Sequence, residues 1–254
     1  MSPNVDKDYI YSAVFDTVSA KERIKRVQEW LCLNGFYTVI DGIYGPATRQ
    51  ALIDFQVARN LPQPHDGQLT KNTLTELIAP LIYALSPINP AGRFAIREMV
   101  SLYAQQHLAV HPREIGGQNK GPWVRLYMQG KEGTQWPWCC GFVSYLLQQA
   151  CGSLGVPVPL KYSFSCYLMA KEAQEKLIFL AENKLETIPR KQLDGSLFLV
   201  RKGAGQWSHT GVVLQAEDDY FYSIEGNTND DGSAEGFEVC QRTRGYSGKD
   251  YILL

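Results

Sequence analysis

Trp136-Pro137-Trp138-Cys139-Cys140-Gly141-Phe142-Val143-Ser144 puts a cysteine at the head of an apolar helix. Pro137 suits a first turn, where a missing N–H costs nothing. Phe142, Val143, Leu146, Leu147 and Ala150 then recur at helical spacing, and Gly152 supplies a stop. Cys139 therefore falls where unpaired backbone N–H groups and the helix dipole favour a thiolate. The same N–H groups suit the oxyanion of an acyl transfer. Cys140 points about 100° away around the helix, so both thiols cannot face one base. Periodicity alone does not choose between them.

Two later segments supply the partners that a nucleophilic thiol needs. His209 follows Ser208 and precedes Thr210-Gly211-Val212-Val213-Leu214, an apolar run that reads as a buried strand with the imidazole at its mouth. An unperturbed imidazole accepts protons near neutral pH. Tyr220-Phe221-Tyr222-Ser223-Ile224 reads as the next strand, after an acidic turn at Glu217-Asp218-Asp219, and ends in Glu225-Gly226-Asn227. The chain order Cys…His…Glu/Asn is that of papain-like enzymes.

Pro-Trp-Cys-x-x-Phe-Val resembles the nucleophile segment of CHAP domains, relatives of NlpC/P60 peptidases whose Asp-Cys-Ser-Gly-Phe motif aligns with Trp138 to Phe142. The resemblance puts the nucleophile on Cys139. Trp138 for Asp and Cys140 for Ser are departures that do not carry the chemistry. It also implies that His209 is the base, Glu225 the group that orients it and Asn227 an auxiliary polar contact. Glu114-Ile115-Gly116-Gly117-Gln118-Asn119-Lys120-Gly121-Pro122-Trp123-Val124 resembles the loop before the nucleophile in a CHAP-like subfamily. Such a loop could line a substrate groove or be a plain connector.

A second unit precedes this one. Glu22 to Leu33 is amphipathic, with Ile24, Val27, Trp30 and Leu31 on one face and a stop at Asn34-Gly35. Asp41-Gly42-Ile43-Tyr44-Gly45-Pro46-Ala47-Thr48 leads into a helix with Ala51, Leu52 and Phe55 at its core and Gln56 beside them. Leu61-Pro62 breaks that helix, and Asp66-Gly67-Gln68-Leu69-Thr70 starts a third containing Leu74, Leu77 and Ile78. Gly42 and Gly45 suit positive φ, and Thr48 a cap or first-turn hydroxyl. The Asp-Gly-x-x-Gly-x-x-Thr string with Phe55-Gln56 downstream resembles a peptidoglycan-binding type-1 domain.

The 254 residues, 44% of them hydrophobic, allow one large or two modest domains. A net charge of −1 argues against nucleic acid as the main partner, and no apolar run reaches the ~20 residues of a membrane span. Residues 1–20 contain Asp6, Asp8 and Asp16 without a basic start or an apolar stretch, so no signal peptide is expected. Six scattered cysteines suit a reducing cytoplasm better than a disulfide scaffold. His107 and His111 share the i,i+4 spacing of zincins but lack the glutamate after the first histidine. Asn227-x-Asn229-x-Asp231-Gly232 with Glu238 nears the EF-hand loop pattern, yet its flanks read as strands and its centre as a hairpin turn. No metal and no cofactor is expected.

The expectation is thus an α+β protein. An N-terminal extension (1–20) precedes a small three-helix peptidoglycan-binding domain (21–80) and a proline-marked linker (81–92). A papain-like CHAP/NlpC-P60 domain follows (93–254), with helices over 93–109 and 165–180 and an antiparallel sheet of strands near 196–201, 210–215, 220–225, 236–243 and 249–253. The resemblances imply a monomeric cell-wall hydrolase that cuts a peptidoglycan amide bond, as an N-acetylmuramoyl-L-alanine amidase or a stem-peptide or cross-bridge endopeptidase. Without a signal peptide it would reach the periplasm by another route, as an injected effector opposed by a periplasmic immunity protein or as a phage endolysin. A thiol amidase or protease on other substrates, and an inactive peptidoglycan-binding protein, are the competing readings.

Overall fold

The computed structural model describes residues 20–90, 92, 95–228 and 236–254. The N-terminal extension lies outside them. Within them the chain forms two compact units, residues up to 85 with 113–134, and residues 86–112 with 135–254.

The first unit contains α1 (Ala20–Leu33), α2 (Pro46–Ala58), α3 (Lys71–Leu77), α4 (Ala79–Leu85) and α6 (Pro122–Tyr127). Its core gathers Trp30, Leu31, Leu52, Phe55, Leu77 and Ile78, all but excluded from solvent. Two buried glutamines fasten the loops between the first three helices. Gln28 accepts the Gly42 N–H at 2.8 Å and donates to Asp41, the Ile43 carbonyl and Thr48. Gln56 accepts the Gly67 N–H at 3.1 Å and donates to the Gln68 carbonyl and Thr73. In both loops an Asp-Gly pair makes the turn, with Asp41 accepting the Ile43 N–H and Asp66 the Gln68 N–H. Gly42 has the expected positive φ of 78°, but Gly45 does not: at φ −94° it is the N-cap of α2.

Two expected boundaries are corrected. Residues 81–92 are helical as far as Leu85, with Leu81 and Ala84 buried, because Pro80 sits at the start of α4 where no N–H is needed. The stretch 113–134, read as part of the catalytic domain, belongs to the first unit. There Arg125 meets the buried Glu29 through both guanidinium nitrogens (2.5 and 3.3 Å) and also pairs with Glu132 at 2.9 Å. Trp123 packs edge-on against Trp30.

The second unit contains α5 (Ile96–Leu108), α7 (Cys139–Leu154) and α8 (Cys166–Glu175). It also holds a six-stranded antiparallel sheet of β1 (Phe179–Leu180), β2 (Leu197–Gly203), β3 (Gln206–Ala216), β4 (Tyr220–Thr228), β5 (Glu238–Gly245) and β6 (Lys249–Ile252). The strand order is β1-β6-β2-β3-β4-β5. Phe198, Val213 and Phe221 enter a core closed by Leu185, Leu193 and Tyr251, while Leu197, Leu199, Val212 and Ile224 between them are equally buried. Both faces are therefore covered, and α5 and α7 pack on β3 and β4. The helix expected over 165–180 ends at Glu175, because Leu177 turns left-handed (φ 58°) and Phe179–Leu180 pair with β6. No helix among the described residues is long and apolar enough to cross a membrane.

Gln28→Ala removes the partner of a buried backbone N–H and should cost about 1–3 kcal/mol. Gln50→Ala, on an exposed side chain of α2 bonded to Asp54, should stay within about 0.5 kcal/mol of the parent. Denaturant unfolding of the two variants checks the difference.

Candidate functional site

α7 begins at Cys139, with Trp138 as its N-cap and Pro137 just before. The first intrahelical bond runs from the Phe142 N–H to the Trp138 carbonyl at 2.9 Å, so the N–H groups of Cys139, Cys140 and Gly141 precede the helical ladder. Cys139 is thus the first helical residue, as the sequence implies.

His209 reaches Cys139 from the sheet, and the two side chains are hydrogen-bonded. The imidazole is not at a strand mouth. β3 already runs from Gln206, pairing His209 with Val200, and the register slips between Val200 and Arg201. The strand extends beyond the apolar run that made it legible. His209 Nε2 lies 2.8 Å from Glu225 Oε2, which leaves Nδ1 for the cysteine. Glu225 likewise sits inside β4 rather than at its end, opposite Cys240. It is fully buried and receives two further partners: Arg244 donates through Nε and Nη2 (2.8 and 2.6 Å), and the Ser223 hydroxyl donates at 2.5 Å. Arg244 and Ser223 are not evident from the sequence. An Arg-x-Arg alternation in β5 is visible, but it does not say which arginine meets Glu225: the register sets Arg242 opposite Ser223 and Arg244 opposite Phe221, and it is the side chain of Arg244 that reaches the carboxylate.

Glycines set the spacing of these elements. A Cβ on Gly226 would sit 2.7 Å from Trp138 Cζ3 and 2.8 Å from Phe142 Cγ, so β4 meets the head of α7 only without a side chain there. A Cβ on Gly211 would fall 2.7 Å from Glu225 Cγ. Asn227 follows with φ 56° and is buried, but its Oδ1 has no hydrogen-bond partner among the described residues. Glu225 is therefore the residue on the imidazole.

Cys140 stays close to Cys139 in spite of their offset around the helix, but it takes a different partner. Cys140 Sγ lies 2.8 Å from Sγ of Cys166, the first residue of α8 after the N-cap Ser165, whose hydroxyl accepts the Leu168 N–H. The three sulfurs lie within 4.8 Å of one another. Cys166 is missing from the sequence reading; Ser165 before an apolar run marks a helix start, but not that two helix starts meet. All six cysteines are free thiols.

The electrostatics follow from these contacts. Hydrogen bonds from Cys140 and Cys166 hold the Cys139 thiol well below its ordinary pKa; burial opposes them, and His209 adds to them. Burial, with the neighbouring sulfurs, pushes Cys140 well up. Burial would lower His209, but Cys139 and Glu225 outweigh it and raise the imidazole to about 9. Burial would raise Glu225, yet Arg244 and then His209 bring it down to about 2. These shifts favour a thiolate, an imidazolium and a carboxylate in a row. A cleft of about 550 Å³ is lined by Tyr167, Lys202, Gln206, Trp207 and Ser208, of which Tyr167 follows Cys166 and Ser208 precedes His209 in the chain.

The histidine pair in the zincin-like spacing does not converge. His107 is buried, bonded to Gln149 at 2.8 Å and lowered to about 4 by burial, while His111, left-handed beyond the end of α5, pairs with Glu238. Of the EF-hand-like string, Asn229, Asp231 and Gly232 lie outside the described residues, and Thr228 and Glu238 are paired across β4 and β5.

Residues 20–77 match the family described as a peptidoglycan binding domain. That span holds both glutamine-fastened loops. No catalytic CHAP or NlpC family model matches. No curated protein and no solved structure matches the chain.

The charge state of Cys139 is open to direct measurement. Its alkylation by iodoacetamide, followed by mass spectrometry of its peptide, should be nearly independent of pH across the neutral range. A thiol with the ordinary pKa of about 8.5 would instead slow about tenfold for each unit of acidification. The thiolate is present above the depressed cysteine pKa, and its imidazolium partner is lost as pH rises through about 9.

Proposed function

We propose that the chain is a cell-wall hydrolase that cleaves an amide bond of peptidoglycan by thiol catalysis. The observation that carries this reading is the Cys139 thiol at a helix start, hydrogen-bonded to an imidazole that Glu225 holds on its other nitrogen. The match of residues 20–77 to a peptidoglycan binding domain supports the choice of substrate.

In this mechanism the Cys139 thiolate attacks the amide carbonyl, forming a carbon–sulfur bond and an oxyanion to which the free N–H groups of α7 donate hydrogen bonds. As the carbon–nitrogen bond breaks, His209 Nδ1–H protonates the leaving amine. The now neutral imidazole takes a proton from water, and the hydroxide attacks the thioester. The carboxylic acid departs, and the proton on His209 and the negative charge on Cys139 are restored. Glu225 stays ionised throughout, fixing the ring and stabilising its charged form. Arg244 and Ser223 position that carboxylate. The bond is either the N-acetylmuramoyl–L-alanine amide or one within the stem peptide or cross-bridge. The setting is an injected antibacterial effector, countered by a periplasmic immunity protein, or a phage endolysin.

Mass spectrometry of fragments released from purified sacculi tests the reading and names the bond. Cys139→Ala and His209→Ala should each lose on the order of 10⁴-fold or more in rate, since nucleophile and base act as a unit. Glu225→Gln should lose less, and Cys140→Ala should retain turnover with the thiolate less stabilised. Turnover by a folded Cys139→Ala protein, or none by the parent, overturns thiol hydrolysis. Turnover of other amides while sacculi stay intact overturns the substrate.

Binding separates from chemistry in the full-length Cys139→Ala protein, which should sediment with sacculi. The parent, exported to the periplasm of a Gram-negative host, should lyse it and remain harmless in the cytoplasm. Equal toxicity in both compartments would place the target elsewhere.

A further inference from the structure

Two of the three clustered thiols have no step in that mechanism. Cys140 and Cys166 are buried, come from different helices and put their sulfurs 2.8 Å apart. With Cys139 they form the group of three thiols whose sulfurs lie within 4.8 Å of one another. A tetrahedral zinc site with bonds of about 2.3 Å needs sulfurs ~3.8 Å apart, within reach of small rotations of these side chains. His209 is outside that group of three but contacts Cys139, and its Nε2 is held by Glu225 at 2.8 Å, so a shift of the ring toward the other two sulfurs would bring its Nδ1 in as a fourth donor. A histidine that binds metal through one nitrogen commonly gives its other N–H to a carboxylate, as here.

We propose that Cys139, Cys140, Cys166 and the Nδ1 of His209 form a site for a thiophilic divalent cation, zinc above all. Three thiolates and one imidazole are a common structural zinc set, and soft sulfur donors select it over magnesium or calcium. The ligands bind deprotonated, so the thiol protons and the one on His209 Nδ1 pass to solvent. Where the chain hydrolyses amides as proposed above, the ion would occupy the nucleophile and the base together. Bound zinc and turnover then exclude each other, and removing the metal switches the enzyme on.

Cobalt(II) added to the reduced, metal-free full-length protein tests the site without relying on activity. One equivalent should give the near-ultraviolet sulfur-to-cobalt charge-transfer band and tetrahedral ligand-field bands, and zinc should abolish both. The charge-transfer intensity should fall by about a third in Cys140→Ala and in Cys166→Ala, with affinity at least about 10-fold weaker. Circular dichroism checks that these variants are folded. Zinc should also shield all three cysteines of the parent from alkylation. Absence of the band in the reduced parent overturns the proposal, as does a band of unchanged intensity in folded Cys166→Ala. A folded protein that loses two thiols to a Cys140–Cys166 disulfide under mild oxidation, and takes no cobalt when reduced, overturns it as well. Hydrolysis by the metal-free protein is a separate readout, so failure of the metal site and failure of the thiol-hydrolase reading are distinguishable.

Discussion

A carboxylate with no access to water governs the second unit. Glu225 can stay ionised there only because three neighbours on three strands spend their donors on it: His209 from β3, Ser223 from β4 and Arg244 from β5. A buried charge stripped of its partner is strongly unfavourable, so these side chains hold the register of the strands as much as the strands hold them. The imidazole is fixed by the same contact. With Nε2 committed to the carboxylate, only Nδ1 is left to meet Cys139, and which nitrogen faces the sulfur follows from the sheet.

The helix contributes the other half of that polarity. Its first N–H groups, free of intrahelical partners, and two neighbouring thiols favour negative charge on Cys139, while the carboxylate favours positive charge on the ring between them. Close approach is what lets these fields overlap, and Gly226 permits it by leaving room for Trp138 and Phe142. Bulk at that position would push β4 from the helix start and lengthen every contact across it.

Local pattern made the elements legible. The apolar spacing after Cys139 gives α7, Val212-Val213-Leu214 gives the body of β3, and the three helices of residues 20–77 follow from their amphipathic stripes and turn glycines. Cys139, His209 and Glu225 stood out because each adjoins such a pattern, while the choice of Cys139 over Cys140 rested on the resemblance to CHAP domains. Strand limits were less visible: His209 and Glu225 sit inside their strands because the pairing continues through polar residues, where no hydrophobic alternation marks it. Cys166 and Arg244 leave no local trace. Their importance arises from which elements become neighbours, and one sequence carries that only through the whole fold. The same holds for 113–134, whose attachment to the first unit turns on one arginine finding a glutamate far back along the chain.

That threading limits how freely the parts can be recombined. A binding module built from one continuous stretch behaves as a cassette, transferable by two cuts at its borders. Here Glu29 is neutralised by Arg125, and residues 86–112, which belong to the other unit, intervene between them. Grafting residues 20–77 onto a foreign protein would carry the acid without its counter-charge and without the segment that packs on it. Exchange of modules would therefore favour partners that bring both strands of the connection, or a change at position 29 that dispenses with the charge.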